Sequence, residues 1–494
     1  MKIKKTPIII LFISSLIFAL CEYINKQYFN VGFEQILFTF LYSKDTSLAV
    51  ILEGVRELIL PFLINFIFLI TPVIIFSTYD LIISIRKLSI KIKFYPIIYS
   101  LLCFVILSFI SVKKIGLIEY ISYQLKPTNL YEEYYVDPGN VDISFSEKRN
   151  LIHIYLESME TTYFSSENGG TYGSSLVPEL EQLAKDNLNF SNSDKLGGFI
   201  QLPGTTWTIA AMVSQSAGLP LKVISDGNSY GSNKSFLPGI VSIGDILEKN
   251  GYNQVLMIGS SALFGGREYF YKLHGNYDIL DYNWALESKI IPSDYKEWWG
   301  YEDKKLFEFA KDKLLELSEN DEPFNFTMLT ADTHFPDGYV DPSCETKYND
   351  NYSNSFACSS KMVFEFINWI KEQSFYENTT IVISGDHLGM QDDFYSNISP
   401  NYTRTVYNAF INTKKTDNNK NRLFSSFDMY PTILHSIGAN IKGEKLGFGV
   451  NLFSDEKTLL EEIGYEFFQE ELKKKTYYYD KYIIKNSYKD MSEQ

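Results

Sequence analysis

The sequence predicts an α/β protein in which an N-terminal three-helix membrane anchor precedes a domain built on a mostly parallel sheet flanked by helices. Three long apolar runs without charged residues, all within the first 112 residues, predict the anchor. From about residue 150 onward, short apolar runs alternate with longer helical stretches. Because parallel strands need crossover connections that cover both faces of a sheet, this alternation favours a parallel sheet.

The anchor is predicted from the length of its apolar runs. Residues 6–21, 58–79 and 94–112 contain no charged residue, and a helix needs about 20 residues to cross the hydrocarbon core of a bilayer. We therefore expect spans at about residues 6–22, 58–79 and 94–112. A cleaved signal peptide is the alternative for the first run. The bulky Leu20 makes Ala19-Leu20-Cys21 a poor cleavage or lipid-attachment site, which favours a retained helix.

Basic residues predict the orientation of the anchor, because cytoplasmic loops carry an excess of Lys and Arg. One basic cluster precedes the first run and another separates the second run from the third: Lys2, Lys4 and Lys5, then Arg86, Lys87, Lys91 and Lys93. With both clusters in the cytoplasm, three crossings place everything after Val112 on the outer side of the membrane. Lys113 and Lys114 argue weakly against this orientation.

Charge and cysteine usage limit the partners and the compartment. The net charge of −15 argues against nucleic acid as a main partner, since phosphate backbones select basic surfaces. Cys21 and Cys103 fall within apolar runs, whereas Cys344 and Cys358 lie 14 residues apart in the outer region. An oxidising compartment would permit a disulfide between the second pair, although the spacing alone gives no distance.

The region after the anchor is divided by its pattern of apolar and polar residues. Residues 113–149 are a Tyr-rich connector, 150–455 the predicted catalytic domain, and 456–494 a peripheral helix and tail. Strands are predicted at residues 151–156, 254–258, 324–329, 380–383 and 409–411. Helices are predicted at residues 178–185, 244–249, 304–319, 359–373 and 429–437.

Polar side chains stand directly after four of the predicted strands. Glu157 follows the first strand, Arg267 comes shortly after the second, His334 lies in Asp332-Thr333-His334 after the third, and Asp386-His387 follows the fourth. In open parallel sheets, ligands bind beyond the carboxyl ends of the strands. The sequence therefore predicts that these side chains share one edge of the sheet.

Three of these residues have donor atoms suited to a metal. The carboxylates of Glu157 and Asp386 and the imidazole of His387 fit a divalent ion such as Mn²⁺, Mg²⁺ or Zn²⁺. Each residue also has an ordinary structural interpretation. Glu157 could be a carboxylate that stabilises the start of a helix, and Asp386 and His387 could be a loop aspartate next to a surface histidine. Because the three residues follow strands of one predicted sheet, the metal site is the preferred interpretation.

Residues 201–208 supply the candidate nucleophile. A hydroxyl is weakly nucleophilic at neutral pH, and coordination to a metal activates it by favouring the alkoxide. Pro203-Gly204 predicts a turn that presents the hydroxyl of Thr205 at the start of a helix. An ordinary helix-capping Thr is the alternative, and spacing alone favours it.

Several ordered segments resemble one known family. They are IYLESME (154–160), PGTTWTIAAMVSQ (203–215), DTHFPDG (332–338), SGDH (384–387), FDMYPTIL (427–434) and LGFGVNLF (446–453). Together they are similar to the phosphoglycerol transferase and lipoteichoic acid synthase group, which is sulfatase-like and belongs to the alkaline phosphatase superfamily. The similarity extends over roughly residues 150–455 and implies an extracytoplasmic domain with the sulfatase/alkaline-phosphatase fold.

This resemblance implies specific roles. Glu157, Thr205, Asp386 and His387 would hold one metal ion, most often Mn²⁺ in this group, and Thr205 would be the nucleophile. Arg267 would bind the phosphate and His334 would line the substrate site. Two departures remain: Thr206 adjoins Thr205, which leaves the register open, and Phe335 stands where the family usually has a second His.

The resemblance further implies an enzyme of the bacterial inner membrane. It would move glycerol phosphate from phosphatidylglycerol to a cell-envelope glycan through a glycerophospho-threonine intermediate. A phosphoethanolamine transferase or a sulfatase of the same fold is the nearest alternative. A non-catalytic, membrane-anchored glycan sensor is an alternative of another class, but it predicts loss of the metal-binding residues, and all four candidates are present.

Overall fold

The computed structural model describes residues 4–27, 33–42, 48–78, 81–85, 88–223 and 236–484. The chain divides into two compact units: Met1–Ile36 with Lys44–Leu125, and Leu37–Ser43 with Lys126–Gln494. Lys2, Arg86 and Lys87 of the predicted cytoplasmic clusters lie outside the described residues. So do Tyr79, the end of the second predicted span, and residues 485–494 of the predicted tail.

The first unit contains the apolar helices. Its elements are α1 (Lys5–Gln27), α2 (Phe33–Tyr42), which is shared with the second unit, α3 (Leu48–Thr78), α4 (Pro96–Lys114), α5 (Leu117–Gln124), and the antiparallel strands β1 (Leu81–Ile85) and β2 (Leu88–Ile92). Three segments are long and apolar enough to cross a membrane, namely Lys5–Lys26, Val55–Phe76 and Pro96–Lys114. Large apolar side chains on α3 and α4, such as Phe68 and Val105, are exposed, as lipid-facing residues would be. The predicted three-helix anchor is confirmed.

The second unit contains the remaining elements. Its helices are α6 (Leu130–Tyr134), α7 (Pro178–Asp186), α8 (Thr208–Ala217), α9 (Ile243–Lys249), α10 (Arg267–Leu273), α11 (Tyr282–Glu287), α12 (Asp303–Ser318), α13 (Asn351–Lys371), α14 (Asp392–Tyr395), α15 (Ser426–Ser436), α16 (Leu459–Glu462) and α17 (Tyr465–Lys473). Its strands are β3 (Ile143–Phe145), β4 (Asn150–Leu156), β5 (Asn253–Ile258), β6 (Asp278–Leu280), β7 (Phe324–Leu329), β8 (Thr379–Gly385), β9 (Asn408–Ile411), β10 (Ala439–Ile441), β11 (Lys445–Leu446) and β12 (Gly449–Val450).

A six-stranded sheet forms the centre of this unit. The strand order is β6-β5-β7-β4-β8-β9, in which only β9 is antiparallel to its neighbour. Tyr155 of β4 is paired with Leu329 of β7 and with Ser384 of β8. The carboxyl ends of these three neighbouring strands therefore lie side by side, and the residues that follow them meet at one edge of the sheet. The predicted mostly parallel sheet is confirmed.

Helices cover both faces of the sheet. Strands β4, β7 and β8 are buried at every position, which explains why they are apolar runs rather than alternating patterns. Helix α13 packs against α7 and α12 on one side, where α12 also contacts β5 and β7. Helix α8 packs against α15 and α9, and α9 contacts β5. The side chains of α8 belong to a different apolar cluster from those of α13, so the sheet separates two cores.

The structure differs from the predicted elements at α13 and β6, among other places, and it shows the disulfide that the sequence had left open. Helix α13 begins at Asn351, well before the predicted start at Ser359, because Asp350 caps it by accepting a hydrogen bond from Ser353 N at 2.7 Å. The short edge strand β6 was not predicted. Cys344 and Cys358 are joined by a disulfide, which ties the preceding loop to α13.

Candidate active site

Glu157, Asp386 and His387 form one buried cluster at the carboxyl ends of β4 and β8. One ligand atom from each residue lies within 4.8 Å of the other two. The Nε2 atom of His387 is 3.3 Å from Asp386 Oδ2 and 3.5 Å from Glu157 Oε1. His387 Nδ1 lies 2.9 Å from the Leu388 carbonyl oxygen, to which it donates in the tautomer that leaves Nε2 unprotonated. That tautomer turns a lone pair toward the two carboxylates, as metal binding requires.

Backbone contacts between neighbouring strands hold the cluster together. Ser158 N donates to Asp386 Oδ1 at 2.8 Å, and Asp386 N donates to the Leu156 carbonyl oxygen at 3.1 Å. Glu157 N donates to Thr330 Oγ1 at 3.1 Å, which adds the loop after β7. Ser158 has a positive φ of 54°, so the chain turns sharply just after Glu157. Three strand ends therefore fix the positions of the two carboxylates.

The electrostatics of the cluster favour a cation. Burial and the neighbouring Glu157 raise the pKa of Asp386 well above its usual range. Burial also opposes ionisation of Glu157, but the imidazoles of His387 and His334 outweigh it and hold the pKa of Glu157 below its usual range. Within the described residues, Asp386 Oδ2 and His387 Nε2 are buried and make no hydrogen bond. Buried polar atoms without hydrogen bonds are costly, and a divalent ion bound by these atoms would remove that cost.

The nucleophile segment contains three threonines, of which Thr205 and Thr208 have different surroundings. Thr205 Oγ1 donates to the Leu202 carbonyl oxygen at 2.8 Å and accepts from Leu202 N at 3.1 Å, and both hydrogen bonds lie within its own turn. Thr208 is the first residue of α8, and its Oγ1 donates to Glu157 Oε2 at 3.3 Å. The structure therefore shows a hydrogen bond to the carboxylate cluster for Thr208, whereas the hydrogen bonds of Thr205 Oγ1 are to Leu202. In the sequence, the apolar run from Ile209 to Val213 indicates that α8 begins next to Thr208.

Arg267 begins α10 and is buried beside the cluster. Two glycines with positive φ, Gly265 and Gly266, precede it and turn the chain into the helix. Arg267 Nε donates to the Phe264 carbonyl oxygen at 3.1 Å, and Nη2 donates to the Ser261 carbonyl oxygen at 2.8 Å. Burial lowers its pKa to about 10, so the guanidinium is charged at neutral pH. These bonds orient the guanidinium, and Nε and Nη2 are their donors, not Nη1.

His334 lies half-buried in the loop after β7. Its Nδ1 is 2.6 Å from the Phe335 carbonyl oxygen, to which it donates in the tautomer that leaves Nε2 as an acceptor. Its ring stacks on Phe335 at 4.9 Å between centroids and meets the Trp299 ring edge-on at 5.0 Å. Burial lowers its pKa below the ordinary histidine value, which favours the neutral ring near pH 7. The sequence did not indicate that Trp299 accompanies His334.

Reciprocal buried hydrogen bonds between Asp303 and the loop that carries His334 position this loop. Asp303, at the start of α12, accepts from Ala331 N at 2.8 Å and from Asp332 N at 3.0 Å. Asp332 in turn accepts from Asp303 N at 3.2 Å. Burial raises the pKa of Asp303 to about 7, and Asp332, which faces it, has a pKa raised further by burial and by Asp303. This pair of carboxyl groups fastens the loop to α12.

Known proteins resemble about half of this chain in sequence. Phosphoglycerol transferase I of Citrobacter koseri is 36% identical over 268 residues, which are 53% of this chain and 33% of that protein. Phosphoglycerol transferase I of Escherichia coli strain 55989 matches with the same identity and coverage. The matched part is therefore about a third of the length of these relatives.

A solved structure shows the same fold at low sequence identity. The lipoteichoic acid synthase LtaP from Listeria monocytogenes superposes with a TM-score of 0.50 at 19% identity, covering 64% of this chain and 79% of that one. A family model described as Sulfatase matches residues 149–439, which include every residue of the cluster, the nucleophile segment, Arg267 and His334. Because that match covers more than half of the chain and contains its central sheet, this protein belongs to the sulfatase family.

Proposed function

We propose that this chain is a membrane-bound phosphoglycerol transferase of the bacterial inner membrane, which moves glycerol phosphate from phosphatidylglycerol to a cell-envelope glycan. The contact that carries the proposal is the 3.3 Å approach of the Thr208 hydroxyl to Glu157, inside the buried Glu157–Asp386–His387 cluster. The 36% identity to proteins named phosphoglycerol transferase I supports the identity of the transferred group. Three helices long enough to span a membrane agree with a lipid donor.

One divalent ion, Mn²⁺ by the family resemblance, is proposed for the cluster. Glu157, Asp386 and His387 would hold it through two carboxylates and one imidazole, a donor set that also suits Mg²⁺ and Zn²⁺. When bound, the ion would supply Lewis-acid stabilisation of the threonine alkoxide and of the phosphoryl oxygens. The negative charge that the buried carboxylates bring together would then be compensated.

The first step forms a covalent bond to the enzyme. Thr208 Oγ1 attacks the phosphorus of the phosphatidylglycerol head group, and its proton leaves toward the Glu157 side, where its hydrogen bond points. The bond between phosphorus and the diacylglycerol oxygen breaks, and that oxygen takes a proton from solvent as diacylglycerol departs. Arg267 would bind the non-bridging oxygens, a contribution of several kcal/mol when a charged donor is pre-oriented in this way.

The second step returns Thr208 to its starting state. A hydroxyl of the acceptor glycan attacks the same phosphorus, and the bond to Thr208 Oγ1 breaks as that oxygen regains a proton. The neutral ring of His334, whose lowered pKa favours an unprotonated Nε2, would accept the proton of the acceptor hydroxyl. His334 would also bind the head group during the first step.

The catalytic domain is proposed to face the outer side of the membrane. The basic residues Lys4, which precedes α1, and Lys5, which begins it, are exposed and agree with a cytoplasmic N-terminus. The disulfide between Cys344 and Cys358 agrees with an oxidising compartment. On that side, the tethered site would meet phosphatidylglycerol at a high effective concentration.

A sulfatase mechanism with a cysteine nucleophile is disfavoured by the available thiols. The chain has four cysteines, of which Cys21 and Cys103 lie in membrane-spanning helices and the other two form the disulfide. None of them is a thiol at the cluster. A phosphoethanolamine transferase would share the metal site and the threonine, so the two transferases must be distinguished by the group that becomes attached.

The mass of the trapped intermediate tests the proposal. The full chain in micelles is incubated with phosphatidylglycerol and Mn²⁺ and then denatured for intact-mass and peptide analysis. A glycerophosphoryl adduct of about 154 Da on Thr208 is expected. An adduct on Thr205 or Thr206 would overturn the assignment of the nucleophile.

Diacylglycerol release is measured in parallel, because fast hydrolysis can remove the adduct. Absence of both adduct and release would overturn the donor. Adduct formation with phosphatidylethanolamine in place of phosphatidylglycerol would favour the alternative transferase.

A further inference from the structure

Four aromatic rings form a continuous surface beside the active site, which we name the aromatic shelf: Phe264, Trp298, Trp299 and His334. Ring centroids are 6.3 Å apart for Phe264 and Trp299, 6.1 Å for Trp298 and Trp299, and 5.0 Å for Trp299 and His334. We propose that this shelf is a subsite for a sugar ring of the acceptor glycan. The proposal rests on the proposed function and adds the part of the site that recognises the acceptor.

The shelf exposes large apolar side chains that a fold without a partner would bury. Trp299 is 37% exposed and Phe264 38% exposed, and Trp299 is the most exposed of the five tryptophans, all of which are described. Leaving such rings in water forgoes the free energy that burial of their apolar surface would release. Contiguous exposed apolar surface beside a polar site is typical of a binding surface.

The turn that carries the two tryptophans is rigid. Glu297 N donates to the Gly300 carbonyl oxygen at 2.8 Å, and Gly300 N donates back to Glu297 at 3.0 Å. Trp298 has a positive φ of 54°, an uncommon conformation for a bulky residue, and its indole Nε1 donates to the Ala331 carbonyl oxygen at 3.1 Å. This bond ties the turn to the loop that carries His334.

Close backbone packing fixes the same turn against the end of β5. Tyr301 N donates to the Gly259 carbonyl oxygen at 2.9 Å. A Cβ added at Gly300 would lie 2.0 Å from that same oxygen, so only glycine allows the approach. Trp299 is therefore held in place before any ligand arrives, which reduces the entropy lost on binding.

The shelf is continuous with the groups assigned to phosphate binding. The Arg267 guanidinium lies 5.7 Å from the Phe264 ring centroid and hydrogen-bonds the Phe264 carbonyl oxygen. At the other end, the Trp299 ring touches His334, the proposed proton acceptor for the incoming hydroxyl. A ring lying on Trp299 would therefore present a hydroxyl near His334 and the phosphoryl group.

The chemistry of the shelf fits a sugar better than an acyl chain. The C–H groups on one face of a pyranose carry slight positive charge and stack on the negative face of an aromatic ring, while its hydroxyls need polar neighbours. Exposed Asp294, Lys296 and Glu297 precede or belong to the tryptophan turn and supply such neighbours. An acyl chain would have to lie against these charges.

Acceptor kinetics of Trp299→Ala test the inference. The full chain in micelles is supplied with phosphatidylglycerol, Mn²⁺ and a panel of neutral hexasaccharides of glucose, galactose or N-acetylglucosamine. Transfer to the hexasaccharide and loss of the phosphoglycerol to water are quantified separately. In Trp299→Ala, KM for the preferred hexasaccharide should rise roughly three- to tenfold, which is the value of one aromatic stacking contact, and the ratio of transfer to hydrolysis should fall.

Two further variants control for structural damage. Trp299→Phe retains a flat ring and should recover most of the transfer-to-hydrolysis ratio. Phe467→Ala removes an exposed aromatic ring from α17 and should leave both the ratio and KM unchanged. An unchanged ratio and KM in Trp299→Ala would overturn the inference, as would equal losses of transfer and diacylglycerol release, which would assign the shelf to the donor.

Direct binding separates failure of this inference from failure of the proposed function. Tryptophan fluorescence of the full chain is titrated with each hexasaccharide in the absence of lipid. A saturable change that Trp299→Ala abolishes supports the shelf even if phosphatidylglycerol is not the donor. If no hexasaccharide of the panel binds or accepts glycerol phosphate while diacylglycerol is still released, the proposed donor stands and the sugar subsite is wrong.

Discussion

At the scale of single residues, the proposed nucleophile rests on the position of one hydroxyl. Thr208 Oγ1 reaches Glu157, whereas the hydroxyl of Thr205 is used by the backbone of Leu202. Thr208→Ala should therefore lower diacylglycerol release by roughly 10³-fold or more, as removal of a covalent nucleophile does. Release from radiolabelled phosphatidylglycerol under single-turnover conditions measures this.

Thr205→Ala is the matched control for that experiment. It removes two hydrogen bonds within the Leu202 turn and should cost about 1 kcal/mol of stability for each bond, with a far smaller effect on turnover. If Thr205→Ala abolishes release and Thr208→Ala does not, the side chains must rearrange when metal or lipid binds. Thermal unfolding of both variants shows whether any loss of activity reflects loss of structure.

The metal-cluster residues were accessible to sequence reasoning, whereas the choice among Thr205, Thr206 and Thr208 was not, for a physical reason. Glu157, Asp386 and His387 each follow a strongly apolar strand, and the parallel topology alone brings them to one edge. The nucleophile depends instead on where a helix begins. Pro203-Gly204 indicated a turn before Thr205, but the first helical residue is Thr208, three positions later. A turn signal does not give the distance to the helix that follows it.

At the scale of elements, an ion pair connects the loops that follow β4 and β8. Arg404 Nε donates to Glu160 Oε2 at 2.8 Å, and Gly389 N donates to Glu160 Oε1 at 3.2 Å. Arg404 also donates to the Gly389 carbonyl oxygen at 2.8 Å and lies 3.9 Å from the Tyr395 ring centroid. Glu160 is three residues after Glu157 and Gly389 two after His387, so this pair positions both metal-binding loops.

Breaking this pair should weaken metal binding. Arg404→Met keeps the apolar stem, leaves the buried Glu160 charge without its partner, and should cost about 3–5 kcal/mol of unfolding free energy. The affinity for Mn²⁺, measured by titration calorimetry, should fall about 10- to 100-fold, as it does when supporting contacts of metal ligands are removed.

A second ion pair in the same unit provides the control. Arg422 Nε donates to Glu461 Oε1 at 2.9 Å, and its Nη2 donates to Oε2 at 3.2 Å, between the chain before α15 and helix α16. Arg422→Met should lower stability without a comparable change in Mn²⁺ affinity. Equal effects of the two variants on Mn²⁺ affinity would mean that Arg404 acts only through general stability.

Helix α15 gives a prediction about pH, because a buried carboxyl caps it. Ser425 and Asp428 form a capping box, and Asp428 Oδ1 also accepts from Val450 N at 2.9 Å. Burial raises the pKa of Asp428 to about 7. The folded state therefore holds this proton more tightly than the unfolded chain, so the contribution of Asp428 to stability is greatest below about pH 4 and is lost as pH rises toward about 7.

Asp428→Asn isolates this contribution, since the amide does not titrate. The variant should be less stable than the wild type at pH 4, because one cap acceptor is lost at a cost of about 1 kcal/mol. The difference in unfolding free energy should shrink as the pH is raised toward 7. Denaturation curves at several pH values measure it, and a difference that grows with pH would contradict the raised pKa.

The elements show the same division between what sequence could and could not indicate. The five apolar strands β4, β5, β7, β8 and β9 were predicted to within two residues because burial on both faces leaves an unbroken apolar run. Strand β6 has three residues, too few to make a pattern. The first turns of α13 are polar, and the signal for its start was Asp350, a cap rather than a periodicity. Trp299 became a candidate ligand-binding residue only because the structure shows that its turn exposes the ring.

At the scale of the whole molecule, the side of the membrane on which the site lies determines which lipids it meets. Three helices among the described residues are long and apolar enough to span a membrane. Their exposed apolar side chains agree with contact to lipid, but they do not indicate in which direction the helices would cross. Direction depends on the basic residues, and the disulfide supplies an independent indication of the compartment.

Two introduced cysteines should report that direction. Lys93 precedes α4 and Lys415 lies in an exposed loop of the second unit. In a chain with Cys21 and Cys103 replaced by alanine, Lys415→Cys should react with a membrane-impermeant maleimide in intact spheroplasts. Lys93→Cys should react only after the membrane is opened, because the predicted basic loop faces the cytoplasm. The reverse pattern would place the site on the cytoplasmic side, where an oxidised Cys344–Cys358 pair would not persist and an external glycan acceptor could not reach Thr208.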